Sequence, residues 1–477
     1  MKDDKGIFFD NLGGGLVTEQ APHKIGDTQF QVSENYDVYP SYTKIRNGYS
    51  TVSGVGTTIR NVNWHSTLGY SVSANLYTYV SWKSKIYRSY SGSSNIEYTS
   101  DNITWSALSG SPSGCRYITL YRNRLVAISS ASVVYFSAFD VDTGWTAYSE
   151  GVSGLPTDDL NGGCFPLNTN DDDIPTGLVD IGSGLVILKK WTVATIAGDL
   201  PRGRVVWISR GIGCFAPLSV VKFEGFAIFL SYDGIYCVTA NKVWKIDKAI
   251  ETNIRNCISY TTICAGRYYT RYIIWLQTNA TTRKCYVFDT ATILDNGGGK
   301  WWEYTYNSTN TLGVYYMHWT TDARLIAIVN TTGSNWFIVN FQSGNRDNTT
   351  AIIATARTKD ITTGRFDTTK LPTNVLIAST GSAVSGSSVM AINVYHNSNQ
   401  KLIVTTSKTL DTSAGVNAKI VYGIDGSLAI PEMPDSTTAS AVYRERWSVE
   451  VIITQGNDAT RIPLYGIGLA FSDRENM

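Results

Sequence analysis

A short hairpin pattern recurs six times along this chain and constrains its fold more than any other feature. In each copy an unbroken apolar run is followed, across a turn, by a second run rich in β-branched and aromatic residues. The copies are Leu76–Val80 with Lys85–Tyr87, Arg124–Ile128 with Val133–Phe136, Gly184–Leu188 with Trp191–Ile196, Gly225–Leu230 with Gly234–Val238, Arg271–Leu276 with Lys284–Phe288, and Arg324–Val329 with Asn335–Val339. They begin about 41 to 60 residues apart, close to the roughly 40 to 50 residues of one four-stranded propeller blade. The repeats therefore predict a six-bladed β-propeller.

The length of the apolar runs supports this interpretation. Five or six residues are too few for an ordinary helix, and an uninterrupted apolar run does not suit a strand with one wet face. Such runs fit strands that are buried on both faces between neighbouring blades. A plain β-sandwich also contains many short strands, so the spacing of the repeats carries the prediction. The competing interpretation is a chain of two or three unrelated β-domains.

Several repeats end in a polar turn followed by a tryptophan. Asp and Asn make such turns by bonding their own backbone, and the indole that follows can cover the gap between blades. The four tryptophans are Trp105, Trp145, Trp244 and Trp301. The segment from Tyr98 to Trp105 resembles the Asp-box of sialidase-type propellers, without its usual glycine. That box is structural in those enzymes, so it predicts no active site.

The composition favours a β-protein with neutral surfaces. Of the 477 residues, 43% are hydrophobic and only 17% are charged, with 29 Tyr and 13 Trp. The net charge of +1 lacks the basic excess that a dedicated DNA-binding protein carries. The opening Met1–Lys5 has no apolar core of a signal peptide, and no apolar stretch approaches the length of a membrane span. We therefore expect a protein made soluble in a cytoplasm.

Three regions follow from the changes in sequence character. Residues 1–50 contain glycines, prolines and few apolar runs, which predicts an extended N-terminal arm lying against its own chain or a neighbour. Residues 51–345 hold the repeats, interrupted at 150–176 by what we interpret as a long loop. Residues 346–477 contain strand-like pieces without the repeat, which predicts a C-terminal β-sandwich. Helix signals are weak, with a short turn expected between Lys245 and Ile254.

The sequence supports no catalytic, cofactor-binding or metal-binding residues. The histidines at 23, 65, 318 and 396 are scattered, and no GxSxG, P-loop or GxGxxG element is present. The seven cysteines (115, 164, 214, 237, 257, 264 and 285) have no CxxC spacing and mostly accompany apolar segments. We expect them to be buried reduced thiols, with a disulfide framework or metal cluster as the alternative.

Three weaker candidates remain open. Asp158, Asp159 and Asp171–Asp173 form either a solvated loop, which could gate a channel, or a Ca²⁺ site, although their spacing matches no EF-hand. Lys189 and Lys190 either face a central channel or end a strand in solvent. The pairs Tyr268–Tyr269 and Tyr315–Tyr316 form either packing within a blade or a surface for stacking sugars or contacting subunits.

Three groups of residues resemble segments of known phage proteins. Gly13–Leu16, Pro22, Ile25, Asn35–Tyr36 and Arg46–Tyr49 resemble the opening of tail nozzle (tail hub) proteins of short-tailed bacteriophages. Gly211–Cys214, Ser219–Val220 and Asp233–Tyr236 are similar to a segment of phage propeller proteins, including packaged-DNA stabilisation proteins. Leu464–Leu469 resembles their C-terminal strand. The arm lacks the glycine that the family has just before Lys44.

This resemblance implies a structural virion protein and no enzyme. Nozzle proteins form a homo-hexameric ring below the portal and adaptor proteins, enclose the channel through which double-stranded DNA leaves, and support tail fibres. The location implied is the virion tail, after synthesis in the host bacterial cytoplasm. The alternative is a carbohydrate-binding or carbohydrate-degrading propeller, a lectin or depolymerase, whose paired carboxylates the sequence cannot place. A cytoplasmic scaffold is the third possibility.

Overall fold

The structure, a computed structural model, is built of β-strands with very little helix. It describes residues 5–20, 24–40, 43–47, 49–55, 61–65, 69–73, 76–90, 92, 95–145, 160–167, 172–257, 263–278, 283–294, 298–306, 313–320, 322–330, 336–343, 347, 350–362, 370–379, 389–396, 400–403, 408–409, 418–423, 446–455 and 463–473. Within these residues, no helix is long and apolar enough to cross a membrane.

The first part of the chain supplies strands to sheets that later strands complete. Numbered along the chain, they are β1 (Lys5–Phe9), β2 (Gly15–Leu16), β3 (Gln29–Glu34), β4 (Tyr36–Val38), β5 (Thr43–Ile45), β6 (Tyr49–Val55), β7 (Asn61–His65) and β8 (Gly69–Ser73). β7 and β8 pair with each other as a two-stranded sheet. The other six strands join sheets described below.

Six four-stranded antiparallel sheets follow among the described residues, most of them formed by consecutive strands; five are separate, and the fifth in chain order is part of a 12-stranded sheet that continues into the last part of the chain. The first three are β9 (Thr78–Trp82), β10 (Lys85–Ser89), β11 (Glu97–Thr99) and β12 (Ser106–Ala107); β13 (Cys115–Tyr121), β14 (Arg124–Ser129), β15 (Val133–Phe136) and β16 (Gly163–Pro166); and β17 (Pro175–Asp180), β18 (Leu185–Lys189), β19 (Thr192–Ala197) and β20 (Arg204–Arg210). The next two are β21 (Val221–Lys222), β22 (Ala227–Leu230), β23 (Ile235–Val238) and β24 (Val243–Lys245); and β25 (Cys264–Tyr268), β26 (Arg271–Gln277), β27 (Arg283–Asp289) and β28 (Lys300–Tyr304). The sixth contains β29 (Gly313–Trp319), β30 (Leu325–Asn330), β31 (Trp336–Phe341) and, as its outer strand, β6.

Helical segments among the described residues are short. The α-helix α1 spans Glu251–Arg255, and single 3₁₀ turns span Pro217–Ser219 and Thr290–Thr292. α1 lies in the connection from the fourth sheet to the fifth and overlaps the region, Lys245 to Ile254, where a short turn was expected.

Consecutive sheets pack face to face, and this packing explains the apolar runs. Leu185 and Ile187 of the third sheet pack with Val126 and Ile128 of the second in one buried cluster. Equivalent clusters join the first sheet to the second, the third to the fourth, the fourth to the fifth and the fifth to the sixth. Strands β14, β18, β22 and β30 are buried along their whole length. A strand covered on both faces gains burial free energy from every apolar side chain, roughly 25 cal/mol per Å² of buried area. Apolar and polar residues therefore do not alternate along such a strand.

The first repeat differs from the other five in its place within the sheet. In five repeats the apolar run and its successor are the second and third strands. In the first repeat the run Leu76–Val80 lies at β9, the first strand, and is only partly buried. The hairpins are therefore not all equivalent, although each belongs to one sheet.

The last part of the chain forms two further sheets that share a core. Its strands are β32 (Ile353–Thr358), β33 (Ile361–Thr362), β34 (Lys370–Ser379), β35 (Val389–His396), β36 (Gln400–Ile403), β37 (Lys408–Thr409), β38 (Ala418–Gly423), β39 (Arg446–Thr454), β40 (Pro463–Leu464) and β41 (Gly466–Asp473). One sheet has the order β1-β41-β34-β38, and the other contains β3-β32-β39-β35-β36. Val451 and Ile392 of the second sheet lie in one buried cluster with Ile377 and Leu469 of the first. Two sheets with a common core agree with the sandwich prediction.

The N-terminal segment lies along its own chain and connects the two parts. β1 pairs with β41, β5 pairs with β40, and β6 pairs with β31 of the sixth sheet. β3 pairs with β32 on one side and meets β28 of the fifth sheet on the other, through the pair Glu303 and Glu34. An extended arm was expected to lie against its own chain or a neighbour, and the structure places it against its own.

The predicted long loop at 150–176 is wrong in part. Residues 163–166 form strand β16, which pairs with β15 and completes the second sheet, and β17 begins at Pro175. The prediction missed these strands because they contain few apolar residues in a row and because glycine, proline and aspartate residues, which are typical of loops, flank them. Asp158, Asp159 and Asp171 lie outside the described residues.

Candidate functional site

The glycines at the start of the resemblance are required by close backbone contacts. A Cβ atom on Gly13 would overlap the carbonyl oxygen of Pro40, and one on Gly14 would overlap that of Thr28. Gly15 has a φ of +78° and lies against the Trp301 backbone, whose carbonyl oxygen is 2.8 Å from where a Cβ would stand. Only glycine fits a chain threaded this closely between other backbones. The glycine run thus docks the N-terminal segment onto the fifth sheet.

Asn35 joins the two parts of the chain through a left-handed backbone turn. Its φ is 61°, a conformation that asparagine adopts more readily than most residues. Its side-chain nitrogen donates to the carbonyl of Ile353 at 2.6 Å, and its side-chain oxygen accepts from the backbone N–H of Thr305 at 2.7 Å. Ile353 begins β32 and Thr305 follows β28. One side chain therefore bridges the C-terminal sheets and the fifth sheet.

Arg46 lies beside Asn35 and forms the centre of this junction. Its guanidinium is fully buried and makes two hydrogen bonds to Asp347, of 2.8 and 2.6 Å. Its Nε donates to the Asn35 side-chain oxygen at 2.8 Å, and Nη2 donates to the carbonyl of Thr305 at 2.7 Å. The guanidinium also stacks 3.9 Å from the centroid of the Tyr306 ring. The N–H groups at the edge of the cation thus donate to protein oxygens, and its plane contacts an aromatic ring.

The electrostatics of the Arg46 site are those of a stable ion pair. Burial by itself would lower the pKa of Arg46, because it penalises the charged form. The charge of Asp347 and its hydrogen bonds outweigh burial and raise that pKa above its ordinary value. The arginine therefore stays protonated at any pH at which the protein is folded, and it is unsuited to acid–base chemistry.

A second buried ion pair holds the adjoining strand β4. Asp37 accepts a 2.7 Å hydrogen bond from Arg271 and another from the hydroxyl of Tyr304. Burial opposes the charge of Arg271, but Asp37 raises the pKa of Arg271 above its ordinary value, while burial and then Asp37 raise the pKa of Tyr304. We name the set Asn35, Asp37, Arg46, Arg271 and Asp347 the junction cluster. It ties the N-terminal segment to the fifth sheet and to the residues that follow the sixth.

The other two segments of the resemblance are also built into packing. Ser219 accepts from the Leu230 N–H at 2.8 Å and donates to the Ala216 carbonyl at 2.6 Å. Gly213 lies against the backbone of Lys189, leaving no space for a Cβ. The closing segment Leu464–Leu469 pairs with β5 and β1 of the N-terminal segment. All three segments therefore act in packing and pairing.

Lys189 is placed differently from either sequence interpretation. Its side chain is fully buried and its Nζ lies 3.9 Å from the carboxylate of Asp173, which is 3% exposed. Asp173 also accepts from the Trp191 N–H at 2.8 Å and the Thr192 hydroxyl at 2.6 Å. Lys189 therefore faces neither an open channel nor solvent. Asp173 belongs to this buried network, so its part in a solvated loop was predicted wrongly.

No group of three or more His, Cys, Asp or Glu side chains within the described residues could hold a metal ion. A Ca²⁺ site that includes Asp158, Asp159 or Asp171 stays a prediction, because these residues lie outside the described part of the chain. Asp101, in the segment like an Asp-box, accepts from the N–H groups of Ile103 and Thr104 at 2.8 and 2.7 Å. These bonds hold the pKa of Asp101 well below its usual range. The box is thus a turn, as predicted.

The tryptophans that end the repeats occupy different places. Trp301 is fully buried between the fourth and fifth sheets, and its indole N–H donates to the carbonyl of Ile246 at 3.0 Å. Trp145 is buried between the first and second sheets. Trp105 instead stacks against Arg88 of its own sheet, and the guanidinium carbon of Arg88 lies 3.8 Å from the centroid of the indole ring. Closing the gap between sheets is therefore confirmed for Trp301 and Trp145 and wrong for Trp105.

The two tyrosine pairs differ in their exposure. Tyr268 and Tyr269 meet Trp319 edge to face, with ring centroids 5.6 and 5.2 Å from its ring, and Tyr269 is 54% exposed. Tyr315 packs 4.8 Å from Trp336 within the sixth sheet, which is strand packing.

The sequence did not point to a third aromatic cluster. Trp191, Phe215 and Tyr232 meet at the turns of the third and fourth sheets, and Trp191 and Tyr232 are 44% and 65% exposed. The ammonium of Lys190 lies 5.5 Å from Trp191. Single aromatic residues in three separate turns form no pattern in the sequence.

The structure describes all seven cysteines and the side chain of one histidine, His318. All seven cysteines are free thiols, and each except the half-buried Cys164 is buried, as expected. Burial raises the pKa of Cys115 to about 12, so this thiol is inert rather than nucleophilic. Burial lowers the pKa of His318 to about 4, which keeps that imidazole neutral. The side chains of His23, His65 and His396 lie outside the described part.

Comparison with known families agrees with the architecture. The family model described as the DUF6242 beta propeller domain matches residues 17–179. That segment covers less than half of the chain and ends in the third sheet. Together with the stacked four-stranded sheets, it confirms the β-propeller class. The number of blades stays a prediction, with which the six sheets agree. No curated protein matches the chain significantly.

Solved structures with some likeness to this chain belong to several kinds of protein. Hsv2 of Kluyvelomyces marxianus is 14% identical, with 56% of this chain and 71% of Hsv2 covered and a TM-score of 0.33. The Trypanosoma rangeli sialidase is 12% identical, with 88% and 96% covered and a TM-score of 0.29. The computationally designed Ika8 protein is 10% identical, with 69% and 99% covered and a TM-score of 0.32. Likeness at this level carries no conclusion about function.

Proposed function

We propose that this chain is a structural virion protein, the tail nozzle of a short-tailed bacteriophage. In this proposal it forms a hexameric ring below the portal and adaptor, encloses the DNA exit channel and supports the attachment of tail fibres. The observation that carries the proposal is the junction cluster. Asn35 and Arg46, two residues of the resemblance to nozzle proteins, meet there and bind the fifth sheet to the C-terminal sheets.

A junction of this kind suits a part that carries mechanical load. The N-terminal segment pairs with strands of both parts of the chain, and two buried ion pairs fix its path. Relative motion of the two parts would require breaking charge-assisted hydrogen bonds between buried side chains. A rigid wedge is what a ring needs to stay closed while DNA passes through it.

The balance of charge fits the same role. The net charge of +1 makes strong attachment to DNA phosphates unfavourable, since such binding depends on an excess of Lys and Arg. Two exposed cations are also neutralised by neighbours. Arg122 pairs with Asp199 of the next sheet, and Lys83 pairs with Asp140, at 2.8 Å. DNA could therefore pass such a surface without being held.

Assembly tests this proposal directly. The purified chain is mixed with a candidate head-to-tail adaptor protein from the same phage and imaged by negative-stain electron microscopy, with mass photometry of the same sample. We expect six-fold rings and no release of sugar from bacterial polysaccharide. A chain that stays monomeric with its adaptor, or that degrades polysaccharide, would contradict the proposal.

One observation favours the carbohydrate alternative. The cluster of Trp191, Phe215 and Tyr232 exposes aromatic faces beside the Lys190 ammonium, and sugars stack on such faces. A glycan array probed with the wild-type chain and with Trp191→Ala decides between the two functions. Binding that the substitution removes would support a lectin, whereas an array without signal favours the structural role. Trp105→Ala, in another sheet, is the control for loss of a partly exposed indole.

A further inference from the structure

We propose that neighbouring copies of this chain join by docking the outer strand β20 of one copy into the cleft beside β1 of the next. This inference rests on the proposed ring and names the surfaces that would close it. Three observations carry it: a long open strand edge, two exposed arginines on that edge, and an acidic cleft elsewhere on the same chain.

β20 differs from most outer strands of the six sheets. It spans seven residues, whereas β12, β16 and β24 span two, four and three, and β28 spans five and pairs with β3 at Glu303. Short or covered outer strands are the usual protection against pairing with other chains. β6 also has seven residues, but it carries no charged side chain. β20 is therefore the charged outer strand that stays open for pairing among the described residues.

The side chains of β20 suit an acidic partner. Arg204 and Arg210 are exposed at its two ends, and neither has a carboxylate partner within the part of the chain that the structure describes. Between them, Val206 is 47% exposed, and Trp207 packs 5.8 Å below the Arg210 guanidinium. The strand thus presents an apolar centre between two cations.

The cleft beside β1 has the complementary character. It has a volume of about 340 Å³ and lies between β1 and the segments around Asp27 and Asp360. Ile7 and Phe8 of β1, an edge strand of its sheet, are 39% and 38% exposed. Asp10 is exposed at the end of β1, and Lys359 is the single cation among the described residues that line the cleft.

The carboxylates of the cleft outnumber its cation. Lys359 pairs with Asp27, and Asp360 is buried and accepts from Gln31 at 2.8 Å. Among the described residues Asp10 therefore has no cationic partner, and its charge lies at the mouth beside the apolar side chains of β1. An arginine from a neighbouring chain would meet an opposite charge there, and Val206 would meet Ile7.

The geometry points to a second copy as the occupant. β20 lies in the third sheet and β1 in the C-terminal part, so one copy offers each surface once. Contacts between two different surfaces of identical chains are heterologous, and they close into rings when the rotation between copies divides the circle. Opposite charges on the two surfaces favour this pairing over contact between two β20 edges.

Charge reversal tests the docking. The double variant Arg204→Asp/Arg210→Asp and the single variant Asp10→Arg are each mixed with adaptor, and ring formation is measured by mass photometry. Each is expected to weaken ring assembly at least about tenfold, because like charges then face one another. A chain carrying all three changes is expected to recover most of the assembly. Arg255→Asp, at a side chain that is 64% exposed on α1, is the control and should assemble normally.

Cross-linking gives a second measurement that does not depend on assembly strength. Separate Val206→Cys and Ile7→Cys proteins are mixed and treated with a short bismaleimide. Cross-linked dimers are expected only in the mixture, and the wild type gives the background from its own thiols. Normal assembly of both charge variants, or cross-linking no greater than background, overturns the docking while leaving a ring in place. A wild-type chain that forms no ring overturns the proposed function itself.

Discussion

The substitution Asp347→Ala tests how much the junction cluster contributes to stability. It removes the carboxylate that pairs with Arg46 and leaves the guanidinium in a site without solvent. The remaining partners of the cation are neutral oxygens, among them those of Asn35 and Thr305. Neutral acceptors cannot compensate a buried charge, so the folded state should lose stability.

The size of the effect follows from burial. The two side chains are 0% and 3% exposed, and their closest atoms are 2.6 Å apart. Removing one partner of a buried ion pair costs about 3–5 kcal/mol, because an uncompensated charge stays behind. We expect Asp347→Ala to lower the free energy of unfolding by that amount, a large fraction of the roughly 5–15 kcal/mol of a typical domain. The same pair at an exposed site would contribute about 0–1 kcal/mol.

Urea unfolding followed by tryptophan fluorescence measures this loss, since Trp301 and Trp302 are fully buried near the cluster. Asp199→Ala is the matched control, because its pair with Arg122 has side chains that are 75% and 42% exposed. The control should change stability by less than about 1 kcal/mol. If Asp347→Ala costs no more than the control, the junction does not depend on this ion pair and the reasoning fails.

Other substitutions test separate parts of the structure. Gly13→Ala should destabilise the fold strongly, because its Cβ would overlap a backbone carbonyl, whereas Gly110→Ala, at φ +71° in open space, should cost only about 1 kcal/mol; thermal unfolding compares them. Burial raises the pKa of Asp247 to about 7, above that of an unfolded aspartate, so its contribution to stability is full below about pH 4 and is lost as pH rises to about 7. Asp247→Asn should therefore flatten the pH dependence of the unfolding midpoint over that range. If the pH dependence does not change, a group other than Asp247 causes it. Glu19→Ala should cost about 1 kcal/mol, because that carboxylate accepts two 2.8 Å bonds from Thr252 at the start of α1; protection of the Thr252 amide from hydrogen exchange is the readout.

The sequence predicted the repeated sheets well because burial between sheets acts locally. Runs such as Leu185–Leu188 are covered on both faces, so every residue in them is apolar. That pattern can be recognised without knowing which distant residues cover the strand. The same locality explains the buried thiols. Prediction from local sequence failed for β16, where glycine and proline surround the strand, and for Trp105, which stacks within its own sheet.

The junction cluster was only half visible in the sequence. Asn35 and Arg46 stood out through the resemblance, but nothing in the spacing marked Asp347, which is 301 residues from Arg46. Lys189 also looked like a surface residue, because its buried partner Asp173 belonged to an apparently polar loop. Charged pairs of this kind are recognised only when folding brings both members together.

The amino-acid sequence by itself determined the class of fold, since the strand period and the two-sided burial of short apolar runs are local properties of the chain. The tertiary structure decided where the N-terminal segment runs, which charges are buried, and which strand edges stay open. Those features depend on contacts between residues hundreds of positions apart, such as β1 with β41 and Arg46 with Asp347. A buried ion pair or a pairing strand has no local signature, because its stabilisation comes from a partner whose position only the complete fold sets.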